Sequence, residues 1–166
     1  MCIRDSNGGT GRGTIEGRDG DDTLNGQTSP DVINGHAGVD AISGGSGNDT
    51  IDPGTGSTVG TGKIVNGGSG ADTIEGGPDA DHIVGGNGND TINAGDGDDF
   101  INGQQGIDTI HGDEGNDTVA GGSGADFLFG DAGNDSLNGG SSTDTCDGGT
   151  GTDTANATCE TTIDVE

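Results

Sequence analysis

Large apolar side chains in this chain recur about once every nine residues and are sparse elsewhere. Residues 67–102 show the pattern best, as GGSGADTIE, GGPDADHIV, GGNGNDTIN and AGDGDDFIN, a template G-G-x-G-x-D-x-U-x in which U is apolar. Down the chain the eighth position reads Ile15, Leu24, Ile33, Ile42, Ile51, Ile74, Ile83, Ile92, Ile101, Ile110, Val119, Leu128, Leu137, Cys146 and Ala155. Within a copy the last three residues, Thr-Ile-Asn or similar, are the predicted strand. Alternation puts the aliphatic on one face and its two neighbours on the other. The first six residues carry up to three glycines, which accept φ > 0 without steric cost, and they predict a turn. Strand, turn, strand, turn makes a flattened right-handed coil with two copies per circuit, so copies n and n+2 stack in one sheet. A fixed period of this kind indicates a stacked repeat architecture instead of a single-core globule. The expectation is an all-β, right-handed parallel solenoid of nine-residue half-turns, about eight coils long.

The register divides the chain. A first copy starts at Gly8 and has Gly13 at the sixth position; four copies run from Gly17 to Asp52. An irregular interruption covers 53–66, and ten copies follow from Gly67 to Asn156. The body of the roll is therefore 8–156, with 157–166 read as a C-terminal cap, which a stack needs because an unpaired final strand invites edge-to-edge association. Aligned on its end, the interruption contains TVGTGKIVN, with Lys63 at the sixth position and Val65 at the eighth, and leaves Pro53–Ser57 as a five-residue loop. Residues 1–7 stand outside the repeat. Met1-Cys2-Ile3-Arg4-Asp5-Ser6 resembles a translated sequencing adapter, and reads as a non-native leader or scar. On that reading a fused upstream domain is missing from this chain; a genuine short leader is the alternative.

Composition alone points toward disorder. Only 24% of residues are apolar, 40 are glycine, and 30 acids against four bases give a formal charge of −26. The strict period argues otherwise, since a disordered linker has no reason to keep Asp and Ile in register over a hundred residues. The acidic balance excludes electrostatic attraction to nucleic acid or anionic membrane surfaces, and no apolar run reaches 18 residues. A cation is the natural partner.

The candidate cation ligands are the sixth-position aspartates: Asp22, Asp31, Asp40, Asp49, Asp72, Asp81, Asp90, Asp99, Asp108, Asp117, Asp126, Asp135, Asp144 and Asp153. With these in register, the repeat resembles the repeats-in-toxin (RTX), or haemolysin-type, calcium-binding nonapeptide of secreted bacterial proteins. The resemblance covers roughly nine-tenths of the chain. It implies a parallel β-roll with Ca²⁺ held between successive turns on each edge, by the aspartates just named and by turn carbonyls. It also implies a secreted, extracellular protein. Cys146 and Cys159 form a paired-Cys ending that resembles that of secreted relatives. The resemblance implies a disulfide closing the open end of the roll, in an oxidising compartment; two small buried thiols are the alternative.

Physical chemistry leads to the same cation. One aliphatic per nine residues is too little apolar surface to offset the entropy of ordering the chain. Stacked carboxylates about 4 Å apart repel by roughly 4 kcal/mol at an effective dielectric of 20. A divalent ion between them reverses that sign. Carboxylates and carbonyls in a turn of variable geometry suit calcium; magnesium prefers stricter octahedra and retained water, and zinc or copper would want His or Cys clusters. Pairing copies n and n+2 gives six slots on one edge and about five on the other, hence about eleven ions. Two departures are marked. Lys63 is expected to remove calcium from its edge between Asp40 and Asp81, its ammonium standing in for part of the ion's charge. Gln27–Pro30 breaks the turn pattern and puts the sites of Asp31 in question.

No catalytic chemistry is expected. His36, His82 and His111 fall at different repeat positions and read as surface imidazoles; H-E-x-x-H, G-x-S-x-G and P-loop motifs are absent. Acidic pairs such as a glycosidase uses are already explained by their regular spacing. Phe127 and Phe129 flank Leu128 on an outward face, as a partner contact or as tolerated surface. The favoured function is a calcium-binding structural module that folds on secretion. The alternatives are the C-terminal part of a larger secreted enzyme (a protease or lipase) or toxin, and an adhesin or ice-binding segment.

Overall fold

The computed structural model describes residues 5–56, 62–156 and 158–163. Successive strands alternate between two nine-stranded parallel sheets. Sheet one holds Asp5–Asn7, Thr23–Thr28, Ala41–Ser46, Ile64–Ser69, His82–Asn87, Phe100–Gln105, Thr118–Ser123, Ser136–Ser141 and Thr154–Ala155. Sheet two holds Thr14–Asp19, Val32–Ala37, Thr50–Asp52, Thr73–Gly77, Thr91–Gly95, Thr109–His111, Phe127–Phe129, Asp144–Asp147 and Cys159–Ile163. Like positions pair with like. Ile83 faces Ile101 and Ile101 faces Val119 in one sheet, as Ile74 faces Ile92 and Ile92 faces Ile110 in the other. The result is the expected all-β solenoid of about eight coils.

The eighth-position side chains fill the space between the sheets. Ile33, Ile51, Val65, Ile74, Ile83, Ile92, Ile101, Ile110, Val119, Leu128 and Cys146 are all fully buried in one continuous row of core contacts. Ala94, at a first position, joins them.

The strands are longer than the sequence pattern predicts. His82–Asn87 and Phe100–Gln105 begin at the seventh position of one copy and run through the third position of the next. Gln104 pairs Gly86 and Gln105 pairs Asn87, so the backbone of the supposed turn continues the ladder. Where this happens the turn shrinks to the fourth to sixth positions; Thr109–His111 and Phe127–Phe129 keep the predicted three residues. Left-handed backbone at the second position bends the chain, and Arg18, Gln27, His36 and Gln104 adopt it as well as glycine. Glycine also dominates the fourth position, although Ser29, Asp79 and Ser142 take that place in three copies. Gly115 has φ +149°, and a Cβ there would lie 1.6 Å from the carbonyl oxygen of Gly97 in the coil beneath. Backbone cannot yield that far, so a side chain would force the coils apart.

The interruption is placed differently from the loop expected at Pro53–Ser57. Pro53 to Gly56 stack in register as the first four positions of a coil. Thr55 bridges Ala37, donates its N–H to the His36 carbonyl at 2.7 Å, and accepts from Gly38 N–H at 3.0 Å. By alignment the five additional residues are 57–61, which include Ser57 of the expected loop and lie outside the described residues. Val65 pairs Ile42 and is buried, as its alignment to the eighth position requires.

At the ends, Asp5–Asn7 pairs Thr23–Asn25 as the first strand of sheet one. Cys159–Ile163 pairs Asp144–Asp147 with a register shift, and a disulfide joins Cys146 to Cys159 with Cα atoms 5.6 Å apart.

Candidate metal centre

The fold brings the sixth-position aspartates into two inner rows, one beneath each line of turns. Row one runs Asp31, Asp49, Asp72, Asp90, Asp108, Asp126, Asp144; row two runs Asp22, Asp40, then Lys63, then Asp81, Asp99, Asp117, Asp135, Asp153. All fourteen aspartates are buried, none more than 5% exposed. The side chain turns inward because the sixth position sits where the turn rejoins the strand, on the same side as the eighth-position aliphatic two residues on.

Each carboxylate from Asp31 to Asp153 is held in the same way. Its Oδ1 accepts the backbone N–H of the sixth residue one coil earlier, as in Asp81 N–H to Asp99 Oδ1 at 2.6 Å and Asp90 N–H to Asp108 Oδ1 at 2.9 Å. Its Oδ2 is left without a hydrogen-bond donor in the thirteen aspartates from Asp31 to Asp153. A buried oxygen with no donor costs roughly 1–3 kcal/mol, more when charged. Natural folds rarely tolerate even a few of these, so thirteen in register call for a positively charged partner.

The first-position glycines let the carboxylates approach the main chain of the next coil. A Cβ built on Gly103 would lie 2.3 Å from Asp108 Oδ2 and 2.7 Å from the Gly121 carbonyl oxygen. On Gly130 the corresponding distances are 2.5 Å to Asp135 Oδ2 and 2.6 Å to the Gly148 carbonyl. A side chain at the first position would thus collide with the carboxylate and with the main chain of the next coil, so glycine is what lets a carboxylate oxygen and a carbonyl oxygen stand side by side there. Among the described residues no three His, Cys, Asp or Glu side chains converge. The arrangement pairs carboxylates with carbonyls, a hard-oxygen set that fits calcium and lacks the nitrogen and sulfur ligands that zinc prefers.

The electrostatics agree. Burial pushes the Asp72 and Asp99 carboxyls up to about 6 and those of Asp108 and Asp117 to about 7, from 3.8; the ladder N–H opposes the rise and neighbouring aspartates add to it. Without a cation, the folded chain therefore binds more protons than the unfolded one. The stability from these groups is fully present below about 3.8 and is lost as pH rises through about 6 to 7. Circular dichroism of metal-free protein should show strand content greatest in acid and falling toward neutrality. Strand content that grows as the pH is raised, with no metal present, would contradict this picture.

Asp31 takes the same place as the others despite Gln27–Pro30. Gln27 and Ser29 adopt the left-handed φ of glycine (75° and 98°), and Asp31 N–H donates to Asp49 Oδ1 at 2.8 Å. Asp31 is buried in row one like the other aspartates. The histidines stand apart from the rows. His36 pairs with Glu16, His82 stacks on Phe100 with ring centroids 5.0 Å apart, and His111 meets Asp131 at 2.8 Å and stacks on Phe129 at 4.4 Å. Phe127 is 45% exposed while Leu128 between the two rings is buried.

The sequence reading missed a second, outer ladder. Fifth-position Asn and Asp side chains accept the backbone N–H of the fifth residue one coil later: Asn89 from Ile107, Asp98 from Asn116, Asn116 from Asn134, Asn134 from Thr152, at 2.9–3.0 Å. The signal was present as the recurring Asn or Asp immediately before the sixth-position aspartate. These residues tie the turn tips together outside the carboxylate rows.

The family model for the RTX calcium-binding nonapeptide repeat (4 copies) matches the chain at residues 7–28, 16–51 and 25–58, and again at 66–101, 93–128 and 120–155. Comparison with curated proteins gives no match.

Proposed function

The chain belongs to the RTX calcium-binding nonapeptide repeat family, whose repeat binds calcium as a β-roll, and from that membership we propose that folding and calcium binding are a single event in this protein. The observation that carries the proposal is the set of thirteen buried Oδ2 atoms with no donor, aligned in two rows. Each ion would be held between an aspartate of copy n and that of copy n+2, with turn carbonyls completing the shell. The ligands are then Asp31, Asp49, Asp72, Asp90, Asp108, Asp126 and Asp144 on one edge and Asp22, Asp40, Asp81, Asp99, Asp117, Asp135 and Asp153 on the other. Bound calcium supplies the positive charge that the stacked carboxylates lack. The chain supplies the spacing, through its backbone ladder, and the room, through its first-position glycines.

Consecutive aspartates leave six gaps in row one and five in row two, for about eleven ions. These would bring about +22 against the formal −26, which accounts for the acidity of the sequence. The protein acts on this reading as a secreted structural module that remains unfolded where calcium is scarce and closes on export. The Cys146–Cys159 disulfide supports an oxidising destination. Equilibrium dialysis with metal analysis tests the site assignment. About eleven calcium ions per chain are expected; saturation at two or three would show that the aspartate rows are not the sites.

A further inference from the structure

The coil that carries the insertion holds a cation of its own. Lys63 stands at a sixth position and is 1% exposed, first among the largest fully buried side chains. Its N–H donates to Asp81 Oδ1 at 2.6 Å, as an aspartate's would there, and Ile64 N–H donates to the Asp40 carbonyl at 3.1 Å. Lys63 therefore fills the place in row two between Asp40 and Asp81. Among the described residues its Nζ makes no hydrogen bond, and the carboxylate it pairs with is that of Asp79, at 3.6 Å. Burial raises the Asp40 and Asp81 carboxyls, and the nearby ammonium draws both back down.

Asp79 is itself a departure from the repeat. It occupies the fourth position of the copy beginning at Gly76, where neighbouring copies have glycine. Its Oδ2 accepts the N–H of Gly56 at 2.8 Å, so it also ties down the turn that carries the insertion. The two departures meet at one place and have opposite charge.

We propose that Lys63 and Asp79 form a resident ion pair that closes this coil in place of calcium. The proposal rests on reading the aspartate rows as calcium sites. In a filled row each divalent ion faces one aspartate charge per coil, so the row is rich in positive charge. A lone ammonium there would be repelled by the ions on either side. Asp79 cancels that charge without offering a further slot in the row. Row two is thereby divided into a short block, Asp22 and Asp40, and a long one from Asp81 to Asp153. The joint falls in the coil that carries the five additional residues of the sequence.

Calcium per chain and melting temperature in saturating calcium decide the matter. The double variant Lys63→Asp/Asp79→Gly restores the repeat pattern and should bind about two more ions than the wild type, one on each side of position 63. Asp79→Asn alone keeps an oxygen acceptor for Gly56 but leaves the buried ammonium uncompensated; its calcium count should hold and its melting temperature should fall. An unchanged count in the double variant beside a wild type that binds about eleven would overturn the proposal. So would an Asp79→Asn protein that melts with the wild type, which also decides the case if the double variant does not fold. A wild-type chain that binds no calcium would instead refute the reading of the rows.

Discussion

Stripped of calcium at neutral pH, the protein will lose its parallel sheets and expand to a random chain. The core explains why the effect should be complete. Most copies bury one aliphatic side chain between the sheets, and beyond Lys63, Ala94 and the two cysteines the interior is glycine backbone and carboxylate. Thirteen buried Oδ2 atoms without donors would each cost roughly 1–3 kcal/mol if ionised and unpaired. Even at its lower end that total is comparable to the roughly 5–15 kcal/mol by which folded domains are stable. No local element offers refuge, because a single coil has nothing to stack on and its strands pair only with the coils above and below. Adding chelator should therefore abolish the strand signal in circular dichroism, and the radius of gyration should rise toward about 43 Å, the value for an unfolded chain of this length. Return of calcium should restore both together and steeply, since adjacent slots share an aspartate. A compact radius and intact strand signal after chelation at neutral pH would refute the coupling of folding to calcium.

Much of this fold was legible in the sequence because the repeat fixes two things at once. The spacing of Ile74, Ile83, Ile92 and Ile101 gives both the strand centres and the alternation between sheets, and the aspartates two residues earlier follow as two rows. Even the irregular copies obey it: Val65 and Cys146 take the core position, and Lys63 takes the row position. What stayed hidden lies in backbone that carries no side-chain pattern. Nothing in Gly-Gly-x announces that it extends a strand, since pairing there depends on the coil beneath and not on a side chain. Pro53 to Gly56 likewise looks like loop and behaves as the first four positions of a coil. The inward role of the first-position glycine was hidden for the opposite reason. Its function is to leave space beside a carboxylate five residues further on, and only the folded turn shows the two together.

On the proposed sharing of aspartates between slots, position within a row matters. Asp108 lies inside row one: its Oδ1 accepts the N–H of Asp90, and its own N–H donates to Asp126 Oδ1. Asp144 is the last aspartate of the same row, and its Oδ1 accepts from Asp126. Asparagine preserves volume and the Oδ1 acceptor at either place, but it replaces Oδ2 with a donor and removes the charge. Asp108→Asn should therefore cost about two calcium ions, those it shares with Asp90 and Asp126, whereas Asp144→Asn should cost about one. Stability should follow the count. The interior change leaves two neighbouring carboxylates each short of a cation, and breaking a buried charge pair costs about 3–5 kcal/mol where it has been measured in other proteins. The terminal change leaves one. Calorimetric melting in saturating calcium, with metal analysis of the same samples, would separate the two. Equal losses of calcium and of melting temperature at Asp108 and Asp144 would mean that each aspartate binds its own ion, and the rows would then be lists of separate sites instead of one continuous chain of shared ones.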